Sequence, residues 1–207
     1  MRKELDEKLC ADYPEIFRDR HGDMRTTAMC WGFDVGDGWY TIIDTLCSQI
    51  QNLVENRNRN AAWNRKQNAI REAALAGDWQ PFDDDFNKMH PPRFTEYWTE
   101  EKHKEFYQKS KQRVLESEHR EDTEDMRYPV AVQVKEKFGT LRFYLDGYND
   151  TISAYESFAE AMSARTCEDC GSPGKTRTGG WYRTLCDKHA EEQGYSLEDE
   201  TEENENE

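Results

Sequence analysis

The spacing of apolar positions changes several times along this chain. Leu5 and Leu9 lie four apart and predict a short helix and loop over residues 1 to 20, where the proline of "YPEIF" interrupts the pattern. Trp31, Phe33 and Val35 then alternate, a strand pattern, and Gly36 to Gly38 supply a turn. From Trp39 the step becomes three and four. Trp39, Ile43, Leu46, Cys47, Ile50, Leu53 and Val54 share one helical face, with Asp37 placed as the N-cap acceptor. The stripe thins to Ala62, Ala69, Ile70, Ala73 and Ala74 before Gly77. That predicts either one long helix projecting beyond the core or two helices broken near Asn56 to Asn60.

Residues 77 to 94 hold three prolines among aromatics and predict a loop, and residues 95 to 120 return to a polar helix carrying Tyr97, Trp98, Phe106, Val114 and Leu115. Alternation resumes at Val130, Val132 and Val134 and again at Leu141, Phe143 and Leu145, with Gly139 between them: a hairpin with one apolar face, and Lys135, Lys137 and Arg142 on or near the other. Ile152, Tyr155, Phe158 and Met162 then form the stripe of an amphipathic helix. The fold class expected is α+β, a small antiparallel sheet packed with helices. Its core is residues 1–55 and 126–164, with a helical insertion or arm at 56–125, a C-terminal module at 165–190 and a disordered acidic tail at 191–207.

Charge alters this picture mainly at the end of the chain. The formal net charge is −15 over 207 residues, but nine acidic and no basic side chains fall in residues 191–207, leaving −6 on the rest. An acidic body disfavours general duplex DNA binding. The N-terminus has no apolar run like a signal-peptide core, and no stretch approaches the roughly 20 apolar residues of a membrane span, so a cytoplasmic protein is expected. In that compartment six cysteines read as thiols or metal ligands rather than disulfides.

Four residues carry the clearest chemistry. Cys167 and Cys170 form CxxC, and Cys186 with His189 forms CxxH fifteen residues later, the ligand types and spacing of a structural Zn²⁺ site. Gly171 suits a metal knuckle, "KTRTGGWYRTLC" reads as a hairpin turning on Gly179 and Gly180, and "LCDKHAEE" opens a helix, a treble-clef-like order. Four protein ligands would leave no coordination position for catalysis. Around them Arg177, Trp181 and Arg183 combine cations with flat rings. Together with Lys135, Lys137 and Arg142 they make a candidate face for an anionic nucleotide. The plainer alternative has zinc hold the hairpin while Trp181 packs onto the domain. Asp83, Asp84 and Asp85 with His90 read as a solvated loop rather than a divalent-metal site, and "GDGW" as a capped turn rather than an anion site. No HExxH, GxSxG or paired catalytic pattern argues for an enzyme.

Three segments in order, "GDGWYTIIDTLC", "VKEKFGTLRFY" and "CEDCGSPGKTRTGGWYRTLCDKH", resemble small accessory proteins encoded by tailed bacteriophages and prophages. The resemblance covers about the first 55 residues and residues 128 to 190, and leaves the charged middle unmatched. It implies a phage protein in the host bacterial cytoplasm that counters a defence. The routes are occluding a host protein, sequestering a nucleotide signal, or mimicking DNA charge. The expected partner is therefore a host protein or an anionic nucleotide, without membrane, and with self-association left open.

Overall fold

The computed structural model describes residues 1–196. The chain divides into two compact units, Met1–Val54 with the chain from Arg127 onward, and Glu55–Met126.

In the first unit, α1 (Lys3–Asp12) precedes a very short strand β1 (Phe33–Asp34), and the 36-residue helix α2 (Tyr40–Leu75) contributes its first turns. The strands β2 (Val130–Lys137) and β3 (Thr140–Asp146) pair antiparallel, and β1 pairs with β2 in parallel, so the sheet is mixed rather than wholly antiparallel. Trp31 does not join β1. It sits in a 3-10 turn with 72% of its surface exposed, because Gly32 at φ +83 breaks the extended run before Phe33. Helix α5 (Asp150–Ser163) packs against β3, and Asn149 caps it by accepting from the Ile152 amide at 3.0 Å.

The core of this unit is the face the periodicity predicts. Trp39, Ile43, Leu46, Cys47, Ile50 and Val54 are buried with Leu9, Ile16, Phe17 and Phe33, against Val134, Leu141, Phe143 and Leu145 of the sheet. A bulge between Ala131 and Gln133 interrupts the Val130–Val132–Val134 alternation, so Ala131, facing Leu145, takes an inward position and Val132 is only half-buried. The α5 stripe also differs from expectation. Ile152, Ala159 and Ser163 are buried, whereas Phe158 is 67% exposed and Met162 lies beside it in an apolar groove. The inward Ser163 hydroxyl accepts from the Leu141 amide at 2.8 Å, which fixes that face toward β3.

In the second unit, α2 continues unbroken through Asn56–Asn60 to Leu75 and stops before Gly77 at φ +90. The 77–94 segment is mostly helix, α3 (Gln80–Met89), contrary to the loop reading. Pro81 stands in the first turn, where it costs no hydrogen bond, and Trp79, Phe82 and Phe86 fall at helical spacing. Helix α4 (Glu100–Glu116) is capped by Thr99, whose hydroxyl accepts from the Lys102 amide at 3.3 Å. Phe82, Phe86 and Ile70 form a small core closed by Phe106, Tyr107 and Val114. The three aspartates diverge as successive helical residues must: Asp83 accepts from Tyr107 at 2.6 Å, Asp84 from Gln80 at 2.8 Å, and Asp85 pairs with Lys66.

The polar stretch of α2 has its own partner. Residues 117–126 run without regular structure along it, and amides on the helix bind their backbone. Asn58 donates to Met126 O at 2.9 Å and accepts from its N–H at 2.6 Å. Asn68 does the same with Arg120, at 2.9 and 2.8 Å, and Arg71 donates to Ser117 O at 2.7 Å. The buried positions here are Ala61, Asn68, Ile70 and Ala74, while Ala62 and Ala69 face outward.

Candidate metal centre

Local sequence builds the centre in three steps. The first is a knuckle, Cys167–Gly171, in which the Gly171 amide donates to Cys167 O at 2.8 Å and Gly171 takes φ +77. The second is a hairpin, β4 (Lys175–Arg177) paired with β5 (Arg183–Leu185), whose loop contains Gly179 and Gly180 at positive φ. The third is the helix α6 (Asp187–Glu192), with Cys186 at its N-cap and His189 one turn along.

These elements bring Cys167, Cys170, Cys186 and His189 together, their ligand atoms all within 4.8 Å of one another. It is the one such group among the described residues, and it could hold a metal ion. His189 Nδ1 lies 3.3 Å from Cys167 Sγ and 3.4 Å from Cys186 Sγ, and Cys170 Sγ is 3.9 Å from Cys186 Sγ. The outer nitrogen, Nε2, faces Glu192 Oε2 at 3.8 Å. The Ser172 hydroxyl and amide bring the Cys170 thiol down to about 6, toward the thiolate that a metal requires, whereas burial pushes Cys167 up.

The knuckle rests on the GDGW turn. The Gly38 amide donates to Glu168 O at 2.7 Å, the Gly36 amide to Glu168 Oε1 at 3.0 Å, and the Trp39 indole to Thr166 O at 2.8 Å. A Cβ on Gly38 would stand 2.2 Å from Cys167 O and 2.7 Å from the Cys170 amide, so the backbone of the knuckle needs the space that glycine leaves. Asp37 does not cap its own helix. Its carboxylate accepts from the Arg2 amide at 2.7 Å and pairs with the Arg2 guanidinium, at the start of α1.

The turn of "KEKFGTLRFY" meets the same module. Phe138 and Gly139 have φ of +56 and +78, the pair of positive angles that a two-residue type I′ hairpin demands. Buried Thr184 of β5 donates to Gly139 O at 2.6 Å, and the Phe138 and Tyr182 rings stand 6.5 Å apart, edge to face. The two hairpins are neighbours.

The cations of the sequence-predicted ligand face are largely committed. Arg177 is 3% exposed and pairs with Asp187. Arg183 is held by Glu168 at 2.9 Å and Asp169 at 3.0 Å, and Arg142 by Glu160 at 2.6 Å. Lys135 lies 5.7 Å from the Tyr144 ring and Lys137 5.2 Å from that of Phe138. Trp181 does not pack onto the domain, being 83% exposed. Sequence reasoning missed Glu168, which joins the GDGW turn, β5 and the knuckle. It also missed the reason for Gly36 and Gly38. Neither has the positive φ that a turn glycine serves, and such a pair before an aromatic helix start is the available signal of close backbone approach.

No helix is long and apolar enough to cross a membrane among the described residues. Comparison with family models, curated proteins and solved structures finds no match to this chain.

Proposed function

We propose that the Cys₃His group binds Zn²⁺ as a structural ion, completing a treble-clef-like module, and that the protein acts without catalysis by binding and inhibiting a host defence factor. The donor spacing carries the first part. Zn–S of about 2.3 Å and Zn–N of about 2.0 Å in a tetrahedron put sulfurs about 3.8 Å apart and sulfur about 3.5 Å from nitrogen. Three of the six separations, 3.9, 3.3 and 3.4 Å, are close to those edges, and all six fall within 4.8 Å. Cys167, Cys170, Cys186 and His189 would hold the ion, and with all four positions filled it would supply cohesion rather than an activated water.

The exposed rings support the second part. Phe138, Trp181 and Tyr182 stand at the tips of two hairpins pinned by Thr184 and by the knuckle, and rigid aromatic anchors of this kind dominate protein interfaces. An anionic nucleotide on this face would have to displace Asp187, Glu168, Asp169 or Glu160 from the arginines, so the protein partner is the better reading. Of the acidic run that motivates a DNA mimic, Glu191 and Glu192 close α6 and the rest lies outside the described residues. The resemblance to phage accessory proteins supports a host partner.

The experiment has two readouts. Metal analysis is expected to find one zinc per chain, lost in Cys170→Ser. Tagged full-length protein is expected to retain a stoichiometric bacterial protein, and Trp181→Ala and Phe138→Ala are expected to lose that protein while keeping zinc. A zinc-free chain overturns the metal assignment, and a zinc-loaded chain that captures no partner overturns the inhibitor.

A further inference from the structure

Between helix α5 and strand β3 lies an open groove of about 310 Å³, at the small end of the ligand-pocket range. Its polar wall is unusual. The Arg142 guanidinium that borders it is neutralised by Glu160 and also donates to Leu141 O at 2.9 Å. Glu156, one helical turn before Glu160, faces the same space with neither an ion-pair nor a hydrogen-bond partner among the described residues. Tyr144 and Tyr148, on the strand and the following loop, line the same space, and the buried Leu141, Phe143 and Leu145 border it. The charged and titratable groups around the space are therefore Arg142, Tyr144, Tyr148, Glu156 and Glu160, with Lys135 5.7 Å from the Tyr144 ring.

This set selects a class of ligand. An anion would meet an uncompensated carboxylate. A divalent metal needs several converging oxygens, and here one of the two carboxylates is engaged by arginine. A carboxylate that shares a partly apolar groove with a tyrosine ring suits an organic cation with a hydrocarbon stem. We propose that this groove is a binding site for an alkylammonium group, with Glu156 as its counter-ion and Tyr148 as its flanking ring, the Tyr144 ring already facing Lys135. The ammonium supplies the hydrogen-bond donor that Glu156 lacks, and the stem lies along the apolar part of the groove. Burial alone pushes the Glu156 carboxyl up to about 7, so binding strengthens with pH as that proton leaves.

The test is a titration of the full-length protein followed by NMR of the Glu156 carboxyl and the tyrosine rings. n-Butylamine represents a free amine, a blocked Gly-Lys-Gly peptide represents a lysine carried by a partner, and n-butanol is the neutral control. Saturable shifts are expected from at least one amine and none from butanol, with affinity about tenfold higher at pH 8 than at pH 6. Tighter binding of the peptide assigns the cation to a protein side chain, and equal or tighter binding of butylamine to a free amine. Glu156→Gln keeps the volume and is expected to weaken binding about tenfold or more, and Tyr148→Leu about threefold. Amine binding unchanged within about twofold in Glu156→Gln, butanol binding equal to butylamine, or no saturation in either arm at about 10 mM overturns the proposal.

Discussion

At the scale of single residues, two side chains and one glycine make the sharpest expectations. Glu168 sits buried between the Gly36 amide and Arg183, so Glu168→Ala strands both, and chemical denaturation is expected to show a loss of about 2–4 kcal/mol. Gly38→Ala pushes a methyl group into the carbonyl of Cys167. About 1–3 kcal/mol of stability is expected to go, together with slower metal release from wild type than from the variant under a chelator. Glu156 works in the opposite direction. Its folded-state pKa of about 7 lies above the unfolded one, so the folded chain holds the extra proton and stability falls as pH rises from about 4.5 to 7. Glu156→Gln is therefore expected to raise the melting temperature at pH 8 and to leave it unchanged at pH 4. The gain is on the order of 1 kcal/mol, because the site is partly open to water.

At the scale of elements, what the sequence disclosed depended on where each element buries its side chains. The Trp39–Val54 face and the Leu141–Leu145 alternation were legible because both sink apolar residues into one core. The helix at Gln80–Met89 was obscured by prolines. Pro81 opens it and Pro91 follows it, positions where proline marks helix boundaries rather than forbids a helix. The second half of α2 read as a weak stripe because its binding face is polar. Asn58 and Asn68 hold backbone amides and carbonyls that hydropathy does not register. Asn68→Ala is expected to cost about 1–3 kcal/mol and to speed amide exchange in residues 117–126, with zinc content unchanged. The clustering of Cys167, Cys170, Cys186 and His189 was legible from spacing alone. Their seat on Gly36 and Gly38 was not, because no local pattern pairs a glycine with a carbonyl 130 positions away.

At the scale of the molecule, the knuckle, the GDGW turn and the β2–β3 turn share bonds through Glu168, Thr166 and Thr184. Treating zinc-loaded protein with a chelator is expected to raise hydrogen exchange at residues 36–39, 138–141 and 166–186 together, while residues 55–126, which have their own small core, keep their protection. Exchange confined to residues 166–186 would show the metal module to be energetically separate from the sheet.

The bond from Gly36 to Glu168 spans 132 positions of chain. In order of synthesis, the seat of the metal module emerges long before the cysteines that will rest on it. Cys167, Cys170, Cys186 and His189 lie within 23 consecutive residues and would close only a short loop on a proposed ion, whereas docking onto Gly38 waits on a long-range encounter. Refolding with zinc present should accordingly resolve into two phases, a fast one reported by the metal and a slower one reported by the indole of Trp39 as it reaches Thr166.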